Sequence, residues 1–257
     1  MKCCICGTVK NCSPYLDKIF NNMEIIGNLF EEYVIIIYYD KSDDNTLHKL
    51  KKYQRQNNKL QFYVNNGKTS TYRTYNIAKG RNYCINKISQ QYNNYEYFIM
   101  MDCDDVCARD INSVLLNEYL KRNDWDSLSF NHPIGYYDLW AFSKRPYIFS
   151  CHHFNNPNLW SEYINRLINK CKKSDLISCF SAFNGFSIYR THKFIDCYYD
   201  GRFKYNYIPK KLLYENIKFA GNFQKKNIED CEHRHFHIQA ILKNNARIRI
   251  SPLCLFK

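Results

Sequence analysis

Residues 97–106 read YFIMMDCDDV, an apolar run that ends in three acidic residues, Asp102, Asp104 and Asp105. The apolar part, YEYFIMMD (95–102), has the composition of a buried strand. Open α/β sheets bind their ligands at the carboxyl ends of the strands. Carboxylates this close repel one another unless a cation neutralises them, and Mg²⁺ or Mn²⁺ prefers such oxygen ligands together with substrate phosphates. The stretch therefore predicts a strand end that holds a divalent cation.

The same acids have a structural alternative, because they precede the predicted helix INSVLLNEYLKR (111–122) and acidic residues often cap helices. Asp110 and Asn112 stand closer to the start of that helix and are better placed to cap it. A D-x-D pair alone is also a frequent pattern. Its interpretation therefore depends on the rest of the chain.

The surrounding segments predict an α/β fold with a mixed, mainly parallel sheet. YVIIIYYD (33–40) is a continuous apolar run, typical of a strand buried on both faces. Further strands are predicted at 2–9, 60–64, 126–131, 136–142, 179–191 and 246–253, and helices at 14–30, 46–56, 76–91, 160–173 and 229–245. No repeat or low-complexity linker divides the chain, so we expect a single domain, 1–257.

Composition and charge narrow the class of protein. Hydrophobic residues make up 45% of the chain, enough for a folded core, and 37 Lys and Arg against 24 Asp and Glu give a net charge of +13. This charge favours an anionic partner: nucleic acid, anionic lipid or a phosphorylated small molecule. Neither a secretory signal nor a transmembrane segment is recognisable, so we expect a soluble, cytoplasmic protein.

Cysteine is abundant, with 13 residues scattered along the chain, an odd number that cannot pair completely within it. We expect free thiols in a reducing compartment. A zinc site is the alternative, since Cys3 and Cys6 have C-x-x-C spacing. In a strand, however, those two side chains would point to opposite faces, and no second C-x-x-C follows.

Two further strand ends carry polar residues. Asp40 closes the run 33–40, and Gly7-Thr8 closes the first predicted strand. Since parallel strands end at one edge of a sheet, we expect these residues and Asp102 to line a common cleft.

The order of these segments resembles that of nucleotide-sugar-dependent glycosyltransferases with the Rossmann-like GT-A fold. YYDLWAF (136–142) resembles a stretch of the fungal capsule-associated mannosyltransferases and their relatives. The resemblance covers most of residues 3–252, and each motif is loose. The other matching segments are YYDKSDDNT (38–46), IAKGRN (77–82), FIMMDCDD (98–105), SAFNGFSIYRT (181–191) and EDCEHRHFH (229–237).

The resemblance implies a nucleotide-sugar-binding half, 1–105, and an acceptor-side half, 106–257. It implies roles in donor binding for Asp40, at the base or ribose, for Arg81, between base and phosphate, and for Asp102. Thr8 and Lys10 would lie near the nucleoside, and Asn184 and Gly185 would form a turn under the donor sugar. Relatives often have Gly-Gly there, so Asn184 is a departure that leaves its contact open. The implied metal ligands are Asp102, Asp104 and His237, with Asp105 orienting the pair.

The implied reaction is transfer of a sugar with inversion, which requires a base on the face opposite the leaving diphosphate. Glu232 and Asp230 are both candidates, and the sequence does not separate them. The alternative is that these acids only stabilise a helix N-terminus. His233 and His235 are further histidines near His237, and Tyr137 and Trp140 are acceptor-side candidates because flat rings suit sugars.

The resemblance also implies partners: a nucleotide-sugar donor, UDP-linked rather than GDP-linked, a Mn²⁺ or Mg²⁺ cofactor, and a glycan, protein or lipid acceptor. No nucleic acid is expected. The competing hypotheses are a basic nucleic-acid-binding protein and a two-metal nucleotidyltransferase or nuclease. The AT-rich character of the composition is compatible with a parasite or a large DNA virus, which would place the protein in a host cytoplasm or a virion.

Overall fold

The computed structural model describes residues 1–149, 157–220 and 228–257, and its strands form one eight-stranded sheet flanked by helices. The strands are β1 Lys2–Val9, β2 Glu32–Tyr39, β3 Leu60–Val64, β4 Tyr97–Met101, β5 Ser127–Asn131, β6 Ile177–Cys179, β7 Phe186–Arg190 and β8 Ile248–Cys254. The helices are α1 Leu16–Gly27, α2 Thr46–Gln56, α3 Arg73–Gln91, α4 Ser113–Leu120, α5 Pro157–Lys170, α6 Lys210–Ala220 and α7 Glu232–Asn244. The strand order is β3-β2-β1-β4-β7-β5-β8-β6.

The N-terminal half of the sheet is parallel. β1 lies between β2 and β4, with Ile5 opposite both Ile35 and Ile99. Helices cover both faces, so side chains on both sides of these strands are buried, as the continuous apolar runs predicted. Cys3 and Cys6 pack into clusters on opposite faces, so β1 itself separates the C-x-x-C pair. The expected α/β fold with a mixed, mainly parallel sheet is confirmed.

The second half of the sheet departs from the expected strands. β7 runs antiparallel between β4 and β5. The predicted strand at 179–191 is divided, because Asn184 and Gly185 have φ values of 60° and 83° and turn the chain before β7. The strand predicted at 136–142 is wrong: these residues form an irregular segment with a turn at 139–141. The N–H groups of Tyr137 and Asp138 donate to Asn184 Oδ1, and that of Leu139 donates to the backbone oxygen of Tyr137, so none of them pairs with a neighbouring strand.

Helix α3 lies unusually close to the ends of β1 and β2. A Cβ atom at Gly80 would be 2.7 Å from Thr8 Cγ2 and 2.8 Å from Tyr38 Cδ1, so only glycine permits this approach. The next residue, Arg81, is thereby carried beneath the strand ends, where its side chain is 4% exposed.

Helix α4 is capped as the sequence suggested. The N–H of Leu115 donates to Asn112 Oδ1 at 3.1 Å, which satisfies one of the donors left open in the first turn. Asp110 instead pairs with Lys18. The strand-end acids Asp102 and Asp104 are therefore not needed as caps. No helix within the described ranges has the length and apolar character needed to cross a membrane.

Asp126 joins the starts of β5 and β8. Its buried carboxylate accepts hydrogen bonds from the backbone N–H of Arg247 at 2.8 Å and from Arg247 Nε at 2.9 Å. Burial opposes ionisation of Asp126, but the bonds from Arg247 outweigh it and lower the pKa of the carboxyl below its usual value. This pair fixes the edge of the sheet beside β6.

We expect Asp126→Asn to destabilise the fold at neutral pH by about 2 kcal/mol, the usual contribution of hydrogen bonds to a charged group. For a chain of this size that is a fall in Tm of about 4–8 °C. Because the folded pKa is lowered, the stabilisation is complete above the unfolded pKa of about 3.9 and disappears as pH falls through the folded value. Thermal melts from pH 7 to pH 2 should show the two proteins converging in acid.

The matched control for this prediction is Asp124→Asn, which removes an ion pair between Arg122 and a side chain that is 49% exposed. Exposed pairs contribute little, so its Tm should stay within about 2 °C of wild type. An equal loss in the two variants, or a loss for Asp126→Asn that persists at pH 2, would contradict this account.

Candidate active site

A cleft of about 610 Å³ opens at the carboxyl ends of β1, β2 and β4. The three predicted strand-end residues Thr8, Asp40 and Asp102 all line it. The polar or charged side chains that join them are Lys10, Ser70, Thr71, Arg73, Asn76, Arg81, Asp104, Tyr137, Asp138, Glu232 and His233. The convergence predicted from the strand ends therefore brings most of the candidate residues together.

Asp102 and Asp104 follow β4 on the floor of the cleft. The pKa of Asp102 is raised to about 7 by burial, and like charges such as Asp104 add to the effect against the opposing charge of Arg81. Burial also raises the pKa of Asp104, whose carboxylate accepts a hydrogen bond from Val106 N at 3.1 Å. Asp105 is exposed and is not part of the cleft lining.

Arg81 connects the two acidic sides of the cleft. One guanidinium nitrogen lies 2.9 Å from Asp102 Oδ1 and the other 2.5 Å from Glu232 Oε1. The guanidinium also lies 4.5 Å from the centre of the Phe183 ring, which stacks on His233. Both terminal nitrogens of Arg81 are thus committed to carboxylates, so the side chain fixes Asp102 and Glu232 relative to each other.

The two acids that the sequence could not separate have different environments. Glu232 is the first residue of α7, lines the cleft and is bound by Arg81. Asp230 is 2% exposed and lies outside the cleft lining. Its carboxylate accepts from Arg234 Nε at 2.9 Å and from the N–H of Cys231 at 2.8 Å.

The late histidines are also separated. His237 lies outside the cleft lining, with Nδ1 3.0 Å from Ser181 Oγ and Nε2 3.1 Å from Tyr189 OH. Burial lowers its pKa to about 3, so the ring is neutral. His235 is hydrogen-bonded to Gln239, whereas His233 does line the cleft. The structure does not bring His237 to Asp102 and Asp104.

Asp40 follows β2, next to Tyr38, and its carboxylate is bound by the side-chain amide of Asn65. Asn65 Nδ2 donates to Asp40 Oδ1 at 3.0 Å, which orients the carboxylate. Tyr38 lines the cleft and belongs to a stack with Tyr63 and Tyr83, whose ring centres are 4.6 to 5.7 Å apart. This end offers a carboxylate acceptor beside flat aromatic surface.

Two charged lining residues, Arg73 and Asp138, were not predicted from the sequence. Arg73, at the start of α3, is exposed in the cleft wall and acts electrostatically on Asp104. Nothing in its sequence neighbourhood distinguishes it from other surface arginines. Asp138 lies within YYDLWAF, between Tyr137 and Trp140. The two aromatic residues were predicted to lie on the acceptor side, and no role was predicted for the carboxylate between them.

Asn184 and Gly185 lie behind the cleft wall and do not line it. A Cβ at Gly185 would be 2.6 Å from Tyr137 OH, and the backbone oxygen of Gly185 accepts from Asp102 N at 2.8 Å. The turn therefore packs against Tyr137 and holds the start of the acidic loop, residues 102–105, which follows β4.

The donor set suits a cation that is shared with a ligand. Two carboxylates on one strand end, Asp102 and Asp104, are what Mg²⁺ or Mn²⁺ commonly takes from a protein when phosphate oxygens supply the rest. Within residues 1–149, 157–220 and 228–257, no group of three or more His, Cys, Asp or Glu is arranged to hold a metal by itself. The residues thus fit a cation held jointly with a diphosphate.

Comparison with solved structures found S. aureus TarS 1-349, with a TM-score of 0.52, 18% sequence identity and coverage of 100% of this chain and 60% of that one. Its complexes with UDP-GlcNAc and with UDP both give a TM-score of 0.54 at the same identity and cover 58% and 60% of the TarS chain. The chain thus spans about three fifths of the length of these structures, and at this identity the likeness is one of fold.

No curated protein shows significant sequence similarity to the chain. The sequence profile described as Glycosyl transferase family 2 matches residues 4–194, a range that contains most of β1, the acidic loop and the whole of β2 to β7. Because this match covers most of the chain, the protein belongs to glycosyl transferase family 2.

Proposed function

We propose that the protein transfers a sugar from a nucleotide-sugar donor to an acceptor hydroxyl. The observation that carries the proposal is that Asp102, Asp104 and Glu232 line one cleft, with Arg81 bound to both Asp102 and Glu232. One side can hold a diphosphate through a cation, and the other presents a carboxylate. Membership of glycosyl transferase family 2 supports this assignment.

The donor in this proposal is a UDP-sugar. Asp40, oriented by Asn65, would accept from the base or ribose, and Tyr38 would pack against the nucleoside. Thr8 and Lys10 line the same end of the cleft. The complexes of S. aureus TarS with UDP and UDP-GlcNAc favour UDP over GDP as the first nucleotide to test.

Asp102 and Asp104 would hold Mn²⁺ or Mg²⁺ together with the diphosphate. Bound there, the cation supplies positive charge to the leaving group. Arg73 and Lys10 line the same cleft and would add to that charge. We do not include His237 among the metal ligands, because both of its ring nitrogens are occupied elsewhere.

Glu232 is the proposed base of an inverting reaction. The acceptor oxygen attacks the anomeric carbon, the bond from that carbon to the diphosphate oxygen breaks, and the hydroxyl proton passes to Glu232. Arg81 keeps the Glu232 carboxylate facing the cleft. Asp230 is less suited, because Arg234 holds its carboxylate away from the cleft.

The proposed halves of the site follow the chain. Residues 1–105 would bind the nucleotide, and residues 106–257 would hold the acceptor, whether glycan, protein or lipid. Tyr137 and Trp140 remain candidates for the acceptor or for the transferred sugar. The likeness of YYDLWAF to fungal capsule-associated mannosyltransferases makes mannosyl donors the second group to test.

We expect Asp104→Ala to abolish Mn²⁺-dependent binding of UDP while the Tm without ligand changes by no more than about 2 °C. The side chain contributes one carboxylate to the cation and little to the core. Thermal shift with UDP, with and without Mn²⁺, measures this directly, because a ligand that binds the folded state raises Tm. Asp105→Ala, the exposed neighbour, is the control and should respond to UDP and Mn²⁺ like wild type. An unchanged response in Asp104→Ala would refute the cation site.

We expect Glu232→Gln to keep UDP-sugar binding and to lower turnover by about 10²–10⁴-fold, the range for loss of a general base. Turnover is measured as the UDP released when the sugar is transferred to an added acceptor or to water. Binding is measured as the thermal shift with the same donor. Both variants remove a carboxylate charge from a buried arginine, Arg81 in Glu232→Gln and Arg234 in Asp230→Asn, so both should lower Tm. Asp230→Asn should nevertheless retain most of the turnover per folded molecule. If Asp230→Asn loses turnover at full stability and Glu232→Gln does not, the two acids have the opposite roles.

A further inference from the structure

Five of the carboxylates that the structure describes line the cleft, and one of them, Asp138, has no role in the proposed binding of the nucleoside, the cation or the acceptor proton. Asp138 lines the cleft between Tyr137 and Trp140. Its carboxylate Oδ1 accepts from Ala141 N at 3.2 Å, and among the described residues no cation lies within ion-pair distance of it. Burial raises the pKa of Asp138 against the opposing charge of Arg81 and the backbone N–H donors around it. A half-buried lining carboxylate that no described arginine or lysine contacts has acceptor capacity left for a ligand.

The position of Asp138 restricts what that donor can be. Asp138 interacts electrostatically with Asp102 on the cation side and with Glu232 on the base side. In the proposed reaction, the group between a bound diphosphate and the base is the sugar being transferred. Sugar hydroxyls are neutral donors that suit an anionic acceptor, and the flat side chains of Tyr137 and Trp140 flank it in sequence and also line the cleft.

The segment that carries Asp138 is anchored at both ends. Asn184 Oδ1 accepts from the N–H groups of Tyr137 and Asp138, both at 3.1 Å, while its Nδ2 donates to Phe130 O at 2.9 Å. Asn184 adopts a φ of 60°, a left-handed conformation that asparagine tolerates better than most residues. The Asn184 side chain thus makes three hydrogen bonds that a glycine at this position could not make.

The second anchor is Arg234 on α7, which is fully buried. Its guanidinium donates to Trp140 O at 2.5 Å and to Ile148 O at 2.9 Å. The turn between Tyr137 and Trp140 is thus fixed to β7 through Asn184 and to α7 through Arg234. A segment held in this way presents Asp138 in one position before any ligand arrives.

We propose that Asp138 accepts hydrogen bonds from hydroxyl groups of the transferred sugar, with Asn184 as the residue that positions it. This inference rests on the proposed function and names the sugar subsite within it.

The test compares the affinity of the protein for a nucleotide sugar with its affinity for the nucleoside diphosphate alone. Dissociation constants are measured by titration calorimetry with Mn²⁺ for UDP and for UDP-GlcNAc, UDP-glucose and UDP-galactose, and for GDP and GDP-mannose. For the donor that binds best, the ratio of the nucleoside diphosphate Kd to the nucleotide-sugar Kd isolates the sugar. Asp138→Ala should lower this ratio about tenfold or more, the usual effect of losing a hydrogen bond to a charged group, and leave the nucleoside diphosphate Kd within twofold.

Asn184→Gly tests the positioning role, because glycine keeps the left-handed backbone and removes only the amide. It should lower the same ratio by a smaller factor than Asp138→Ala, with unchanged UDP or GDP binding. Asp105→Ala, outside the cleft, should leave the ratio as in wild type. Asp138→Asn has a side chain of equal size and shows whether the charge is needed. The Tm of each variant shows whether a lower ratio comes from a folding defect.

The outcomes separate the subsite from the function. A wild-type chain that binds no nucleoside diphosphate would overturn the proposed function and the subsite with it. Normal binding of the diphosphate with an unchanged ratio in Asp138→Ala would overturn the subsite alone. Loss of turnover with an unchanged ratio would also overturn it, because Asp138 would then act on the acceptor proton.

Discussion

The rest of the cleft depends on the ion pairs that the buried guanidinium of Arg81 forms with Asp102 and Glu232. This guanidinium carries the only charge that contacts both Asp102 and Glu232 in the part of the chain that the structure describes. Removing one partner from a buried ion pair is costly because the other charge is left without compensation. Several further carboxylates surround it, so the free cleft remains acidic on its floor. A divalent cation between these acids and a diphosphate would offset the negative charge of both, so the cation and the diphosphate would bind together more readily than either alone.

The sequence was most informative where the determining contacts are local or repetitive. Continuous apolar runs identified β1, β2 and β4, and the polar residues at their ends located the cleft, because parallel strands end at one edge. It failed at 136–142, where alternating aromatic residues imitate a strand. The hydrogen-bond partner that prevents a strand there is Asn184, 46 and 47 residues further along the chain. No local pattern contains that information.

The same limit explains the ambiguity among the late acids and histidines. Asp230 and Glu232 are two positions apart at the start of one helix, and sequence alone does not give the rotation of that helix. Its rotation is set by Arg234, which is buried against the 140–148 segment, and by Arg81, which reaches Glu232 from α3. His237 then faces Ser181 and Tyr189 in the interior. Two arginines on different helices thus decide which acidic side chain is available to a ligand.

The close approach of α3 permitted by Gly80 has a consequence for how the protein is made. It brings Arg81 into contact with Glu232, 151 residues away in the chain. In a chain that folds as it is synthesised, β1, β2 and β4 are available before Glu232, so Arg81 would pair with Asp102 first and gain its second carboxylate later. Contacts of such sequence separation slow folding, because a long loop must close before they form. The acidic group opposite Asp102 is therefore added only when α7 packs against α3, and β8, which follows α7 in the chain, must still insert between β5 and β6 to complete the described sheet.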